Sequence, residues 1–132
     1  MSTPATRPRP LSPHLQVYRM VPTMLASIMH RITGAALYFG TLLVAAWIIA
    51  AATSAEWFDM VSGVYGSWFG QFVLLGYTWA LMFHMLGGIR HFVWDTASFM
   101  DKHTATRLAW ATVIGSLVLT VLIWAGVFLV RS

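Results

Sequence analysis

The chain has 132 residues, 58% of them hydrophobic and only 9% charged, with eight Lys+Arg, four Asp+Glu and no cysteine. Soluble domains carry about 25% charged residues, so a soluble globular protein is excluded. The lack of cysteine excludes disulfides, thiolate metal sites and iron–sulfur ligation within the chain, so any redox cofactor here rests on His, Met or polar contacts.

Residues 1–20 are polar and carry Pro4, Pro8, Pro10 and Pro13, which predicts an extended tail over 1–21 ahead of a single membrane domain, 22–132. The tail has neither the short apolar core and cleavage site of a signal peptide nor the pattern of a transit peptide, and an unprocessed bacterial inner-membrane protein is expected. Beyond it lie three long uncharged windows, 32–55, 60–89 and 108–130. About 20 helical residues cross a bilayer, so an all-α fold with three transmembrane helices is expected, over about 23–52, 68–95 and 107–130. Pro22 suits the first turn of the first helix. The segment 53–67, with Glu56, Asp59, Gly63 and Gly66, reads as a short loop, and 96–106 as a polar turn. The third helix has no ionisable residue in its interior and reads as packing surface, with Gly115, Ser116 and Gly126 as close-contact points.

Aromatic residues near the window ends, Trp57, Trp68, Trp94 and Trp110, fit interfacial belts, while Trp47 and Trp124 fit either a belt or lipid-facing filling. Seven basic residues (Arg7, Arg9, Arg19, Arg31, Arg90, Lys102 and Arg107) fall on one side and Arg131 alone on the other, which predicts the N-terminus inside and the C-terminus outside. Topology thus accounts for the positive charge, and no basic patch is left for nucleic acid.

Two clusters of ionisable residues sit at the inner edge of the spans, where such residues are functional candidates. In the first, Ser27-Ile28-Met29-His30-Arg31-Ile32-Thr33-Gly34, the residues Ser27, Arg31 and Gly34 share a helical face with His30 beside them. A hydroxyl and a guanidinium there form a donor pair for a carbonyl or carboxylate group. Alternatively, Arg31 snorkels to lipid phosphates and His30 makes an interfacial contact. The second runs His84-Met85-Leu86-Gly87-Gly88-Ile89-Arg90-His91 to Asp95, with His84, Gly88, His91 and Asp95 along one stripe. A histidine flanked by small residues admits a flat ligand, as an axially ligated haem requires, and equally admits a hydrogen bond to a neighbouring helix. His84 lies six residues, about 9 Å, deeper than Arg90 and is the better haem ligand. His91 and Asp95 are spaced to pair. His30, next to Arg31, reads as too shallow to sit opposite His84, so the second axial ligand is expected from another subunit.

In these residues the chain resembles the cytochrome b556 subunit family of succinate dehydrogenase, the larger membrane anchor of respiratory complex II. The matching stretches are Arg9-Pro10-Leu11-Ser12-Pro13-His14-Leu15-Gln16-Val17-Tyr18, the segment from Ser27 to Gly34, and His84 to Asp95 read as His-x3-Gly-Ile-Arg-His-x2-Trp-Asp. Met29, where many relatives have Leu, is a mild departure. The resemblance implies that His84 is an axial ligand of haem b, the other being a His of the smaller anchor subunit. It implies that Ser27 and Arg31 hydrogen-bond ubiquinone, that His30 and Arg31 hold the haem propionates, and that His91 lies toward the propionate end. Partner subunits are then the smaller anchor, an iron–sulfur subunit and a flavoprotein subunit, with no succinate site in this chain. The readings that compete are a quinol:fumarate reductase anchor working in reverse and, from another class, a small proton or metal transporter. A transporter would need an acidic or polar partner deeper in a span, and spans one and three offer none.

Overall fold

A computed structural model of the chain describes residues 9, 10, 21–96 and 101–132. Most of the proline-bearing tail, and with it the first matching stretch beyond Pro10, lies outside the described residues, as do residues 97–100 of the expected polar turn. Four helices follow in order: α1 Pro22–Thr53, α2 Ala55–Gly66, α3 Trp68–Asp95 and α4 Lys102–Arg131. The helices α1, α3 and α4 are long and apolar enough to cross a membrane, with mean hydropathies of 2.0, 1.5 and 2.6 over their most apolar windows, and the chain is a multi-pass membrane protein.

Two expectations are corrected. The segment 53–67 is not a loop: it holds α2, whose start is capped by Ser54 Oγ accepting from the Trp57 amide at 3.2 Å. Its glycines do not break it, since Gly66 is the last helical residue and Ser67 caps the next helix through the Gly70 amide at 3.2 Å. The last helix starts at residue 102 and not near 107, because Asp101 accepts from the Thr104 amide at 2.9 Å and turns a polar stretch into a first turn.

α1 and α3 run antiparallel: His30 meets Gly87 while Gly40 meets Tyr77 further along. α3 packs against both α1 and α4, and α2 lies against α1 and α3. The interior is built from small side chains, Ala26, Ala50, Ala80 and Ala109, with Phe83 the one large buried hydrophobic among the described residues. Small residues let helix backbones approach where lipid gives apolar bulk no advantage inside over outside. Bulky groups such as Tyr38, Phe39, Leu42 and Phe72 accordingly point outward.

α4 carries three buried hydroxyls on its packing face, Thr112, Ser116 and Thr120. Each donates to a carbonyl of its own helix, of Leu108, Val113 and Ser116 respectively, at 2.8–2.9 Å. Of the expected close-contact points, Ser116 is fully buried and a Cβ on Gly115 would stand 3.1 Å from Leu86, whereas Gly126 faces open space. Trp124 is half-buried and donates its indole N–H to Thr78 Oγ1 at 3.2 Å, so it ties α4 to α3 instead of filling lipid-facing surface.

Candidate functional site

α1 and α3 interlock through two reciprocal glycine–histidine contacts. A Cβ on Gly34 would stand 2.9 Å from His84 Cε1, and one on Gly87 would overlap the His30 ring. Each helix therefore offers a histidine to a glycine of the other, and a side chain at either glycine would displace an imidazole. As a result His30 and His84 lie ring on ring, with centroids 4.0 Å apart and planes 14° from parallel. His91 meets His30 edge-on at 5.3 Å.

His84 Nδ1 lies 3.1 Å from the His30 carbonyl oxygen and 3.4 Å from Thr33 Oγ1. A carbonyl only accepts, so in the neutral ring Nδ1 carries the proton and Nε2 the lone pair. Thr33, 2% exposed, donates its own hydroxyl proton to the same carbonyl at 3.0 Å and so fixes that acceptor. A histidine whose second nitrogen is held in this way is oriented to ligate a metal through Nε2. Beside it, one turn on, a Cβ at Gly88 would meet nothing within 4 Å, which leaves open space along the flank of His84. No group of three His, Cys, Asp or Glu among the described residues could cage a bare metal ion. A porphyrin iron, whose four in-plane donors are its own, asks only for axial ligands, and the residues present fit that requirement.

The geometry corrects the reason given for His30. It is not shallower than His84 but alongside it; antiparallel packing brings the two to one level. It still does not face His84 across an iron, because its ring is stacked on the His84 ring, whereas two axial ligands must point their nitrogens at each other. His91 is exposed and does not pair with Asp95; its ring lies 5.5 Å from that of Trp94, edge-on.

Ser27 and Arg31 sit on the flank of α1 next to the Gly34–His84 contact, with Arg31 exposed. The opposite flank of α1, through Leu25, Ala26 and Met29, instead lines an apolar groove of about 430 Å³ with Trp79 and Phe83. Arg31 is thus open to a group from outside the chain, with Ser27 half-buried one turn before it.

One residue of the site escaped sequence reasoning. Arg90 counts in the charge asymmetry, yet it does not reach for the membrane surface: it is 4% exposed, with its guanidinium carbon 5.2 Å from the centre of the Trp94 ring. The signal was present, since Phe83, Gly87 and Arg90 are spaced i, i+4, i+7 and form the buried stripe of α3. The Arg90 Nε and Nη1, the Trp94 Nε1 and the His30 Nε2 are all buried without hydrogen-bond partners.

Comparison with known proteins identifies the family of the chain. The family model of succinate dehydrogenase/fumarate reductase transmembrane subunits matches residues 5–123. The chain is 45% identical to the succinate dehydrogenase cytochrome b556 subunit of Paracoccus denitrificans over 114 residues, covering 86% of this chain and 88% of that one. It is 30% identical to the same subunit of Rickettsia felis over 88% of this chain and 90% of the relative. A mitochondrial relative, the succinate dehydrogenase cytochrome b560 subunit of Mus musculus, is 32% identical over 89% of this chain and 69% of its own length.

Proposed function

Because the chain belongs to the succinate dehydrogenase/fumarate reductase transmembrane subunit family and serves as a membrane anchor of complex II, we propose that it binds haem b through His84 and ubiquinone through Ser27 and Arg31. In this reading it receives electrons from the iron–sulfur subunit, which a flavoprotein subunit supplies from succinate. The observation that carries the proposal is the His84 ring, held at Nδ1 by the His30 carbonyl, with open space at Gly88 one turn along the same helix.

When bound, the haem supplies a one-electron store within the membrane. The work of the chain is placement. Thr33 and the His30 carbonyl set the His84 tautomer, the two glycines fix the depth of both imidazoles, and the stacked His30 ring shields one face of His84. His30, stacked on the His84 ring, would not serve as the other iron ligand; the resemblance assigns that role to a His of the smaller anchor subunit. Arg31 and Ser27 offer a charged and a neutral donor to a quinone carbonyl; aligned in advance, such donors favour the charge that develops on that oxygen during reduction. His30 and Arg31 lie at the level where haem propionates are to be held, and His91, exposed beside Trp94, borders the same end. The basic residues orient this end toward the cytoplasm of a bacterium, with the C-terminus periplasmic.

The test is His84→Ala in the whole complex, followed by a dithionite-reduced minus oxidised spectrum. Loss of the low-spin b-type band, or its conversion to a five-coordinate form, is expected; an unchanged bis-histidine spectrum would overturn the assignment.

A further inference from the structure

The buried stripe of α3 ends in a cation with no counter-ion. Arg90 is 4% exposed, and its Nε and Nη1 have no partner. Trp94, one turn on, covers the guanidinium with its ring face, and its own indole N–H is buried and unpartnered as well. The chain contains only four acidic residues, Glu56, Asp59, Asp95 and Asp101. Glu56 and Asp59 lie on α2 at the far end of the bundle, Asp101 is engaged at the start of α4, and Asp95 is exposed on another flank of α3. No anion of this chain neutralises Arg90.

An unpaired charge held out of water is strongly unfavourable, and an arginine at a membrane edge ordinarily snorkels. That Arg90 stays inside, next to a second orphaned donor, means that its partner arrives with another component. A guanidinium offers a planar fork of N–H donors, which matches a carboxylate. Arg90 also stands about 9 Å along α3 from His84, within reach of the acid arms of a porphyrin held there. The ring of His30, packed against Gly87 three residues before Arg90, adds Nε2 as a fourth buried atom without a partner.

We propose that Arg90 and Trp94 form a carboxylate-binding donor pair, and that the carboxylate they take is a propionate of the haem. The inference rests on the haem reading above and extends it to two residues that raise the affinity of the iron for its electron. A cation and a neutral donor on the propionate offset its negative charge, and removal of either favours the oxidised, more positive iron.

The experiment is a redox titration of the haem in the complete, membrane-embedded complex, comparing wild type with Arg90→Gln, Arg90→Lys and Trp94→Phe. Arg90→Gln is expected to lower the reduced-to-oxidised ratio at fixed potential by about tenfold, equivalent to 59 mV for a one-electron couple. Arg90→Lys should restore most of it, and Trp94→Phe should shift it in the same direction by less. If the carboxylate is instead an acidic side chain of another subunit, Arg90→Gln leaves the potential in place while subunits dissociate in detergent, and Arg90→Lys restores their retention. That result keeps the carboxylate and overturns the propionate as its source. Wild-type potential and wild-type subunit retention in Arg90→Gln would overturn the proposal altogether. Should Arg90→Gln fail to assemble, Trp94→Phe decides, because an unmoved potential there removes the donor pair. A wild-type complex with no b-type band would overturn the haem reading itself, and a normal band with an unmoved potential this inference alone.

Discussion

The two ends of the bundle treat their polar groups differently. At the end bearing Glu56 and Asp59 the partners are internal: Tyr65 donates its hydroxyl to the Leu43 carbonyl at 2.6 Å, and Gln71 Nε2 donates to the Tyr65 carbonyl at 2.9 Å. Together with Gly40, Trp47 and Tyr77 these residues line an open, largely apolar groove of about 480 Å³, in which Ser62 Oγ is the exception without a partner. At the opposite end His30, Arg90 and Trp94 all hold buried groups that find no acceptor or donor. Hydrocarbon supplies no water to make good such a deficit, so each unmet group there is strongly unfavourable. The contrast teaches that one end is nearly self-contained, whereas the other concentrates buried polar groups without partners in this chain.

That contrast can be broken most forcefully at the interlock. Gly87→Val drives a side chain into the His30 ring and should destabilise the bundle by about 3 kcal/mol, with loss of haem content, whereas Gly76→Ala, where a Cβ meets nothing within 4 Å, should be neutral or stabilise slightly. Thermal unfolding of the purified complex measures both, and equal losses would show that the glycines only set helix propensity. Next comes Arg31→Ala, which on the proposed quinone-binding role removes a charged hydrogen bond worth about 2 kcal/mol, a loss of roughly thirtyfold in quinone reduction. Succinate oxidation with an artificial soluble acceptor should survive; if both activities fall together, Arg31 serves assembly. At the self-contained end Tyr65→Phe forfeits one internal hydrogen bond, about 1 kcal/mol of stability, and should leave the haem spectrum and quinone turnover untouched. A changed spectrum would mean that the two ends are not independent.

The smallest effect is expected at Asp101, outside the spans. The backbone and side-chain hydrogen bonds from Thr104 hold its carboxyl below the ordinary carboxylate value. A lowered folded pKa means that the cap contributes fully above the unfolded value and is lost as pH falls through the folded one. The protection of the first-turn amides of α4, taken relative to the intrinsic exchange rate at each pH, should therefore fall in acid in the wild type and be indifferent to pH in that range in Asp101→Ala. Identical profiles would remove the cap.

The three spans and the family were legible in the sequence because long uncharged windows and ordered motifs are local signals. What was not legible depended on neighbours. The depth of His30 was read from adjacent Arg31, but it is set by antiparallel packing of Gly34 and Gly87 on two different helices. Thr33 could be recognised as the group that steadies the His84 acceptor only once α1 lay against α3. The start of α4 and the whole of α2 were hidden by polar residues and glycines that read as turns, although Asp101 and Ser54 stood in capping positions. Arg90 was counted only as one of the basic residues of its side, when its spacing from Phe83 and Gly87 placed it inside.

The hydroxyls of α4 bear on how the protein is made. Because Thr112, Ser116 and Thr120 each bond within their own helix, and α4 has the highest mean hydropathy of the three spans, it needs no neighbour to be at home in the bilayer. It can leave the translocation machinery as a finished rod and dock later. α3, with its histidines and buried guanidinium, has the lowest mean hydropathy and cannot wait. Its stay in the bilayer gains most from α1, which already lies in place when it emerges and packs along it.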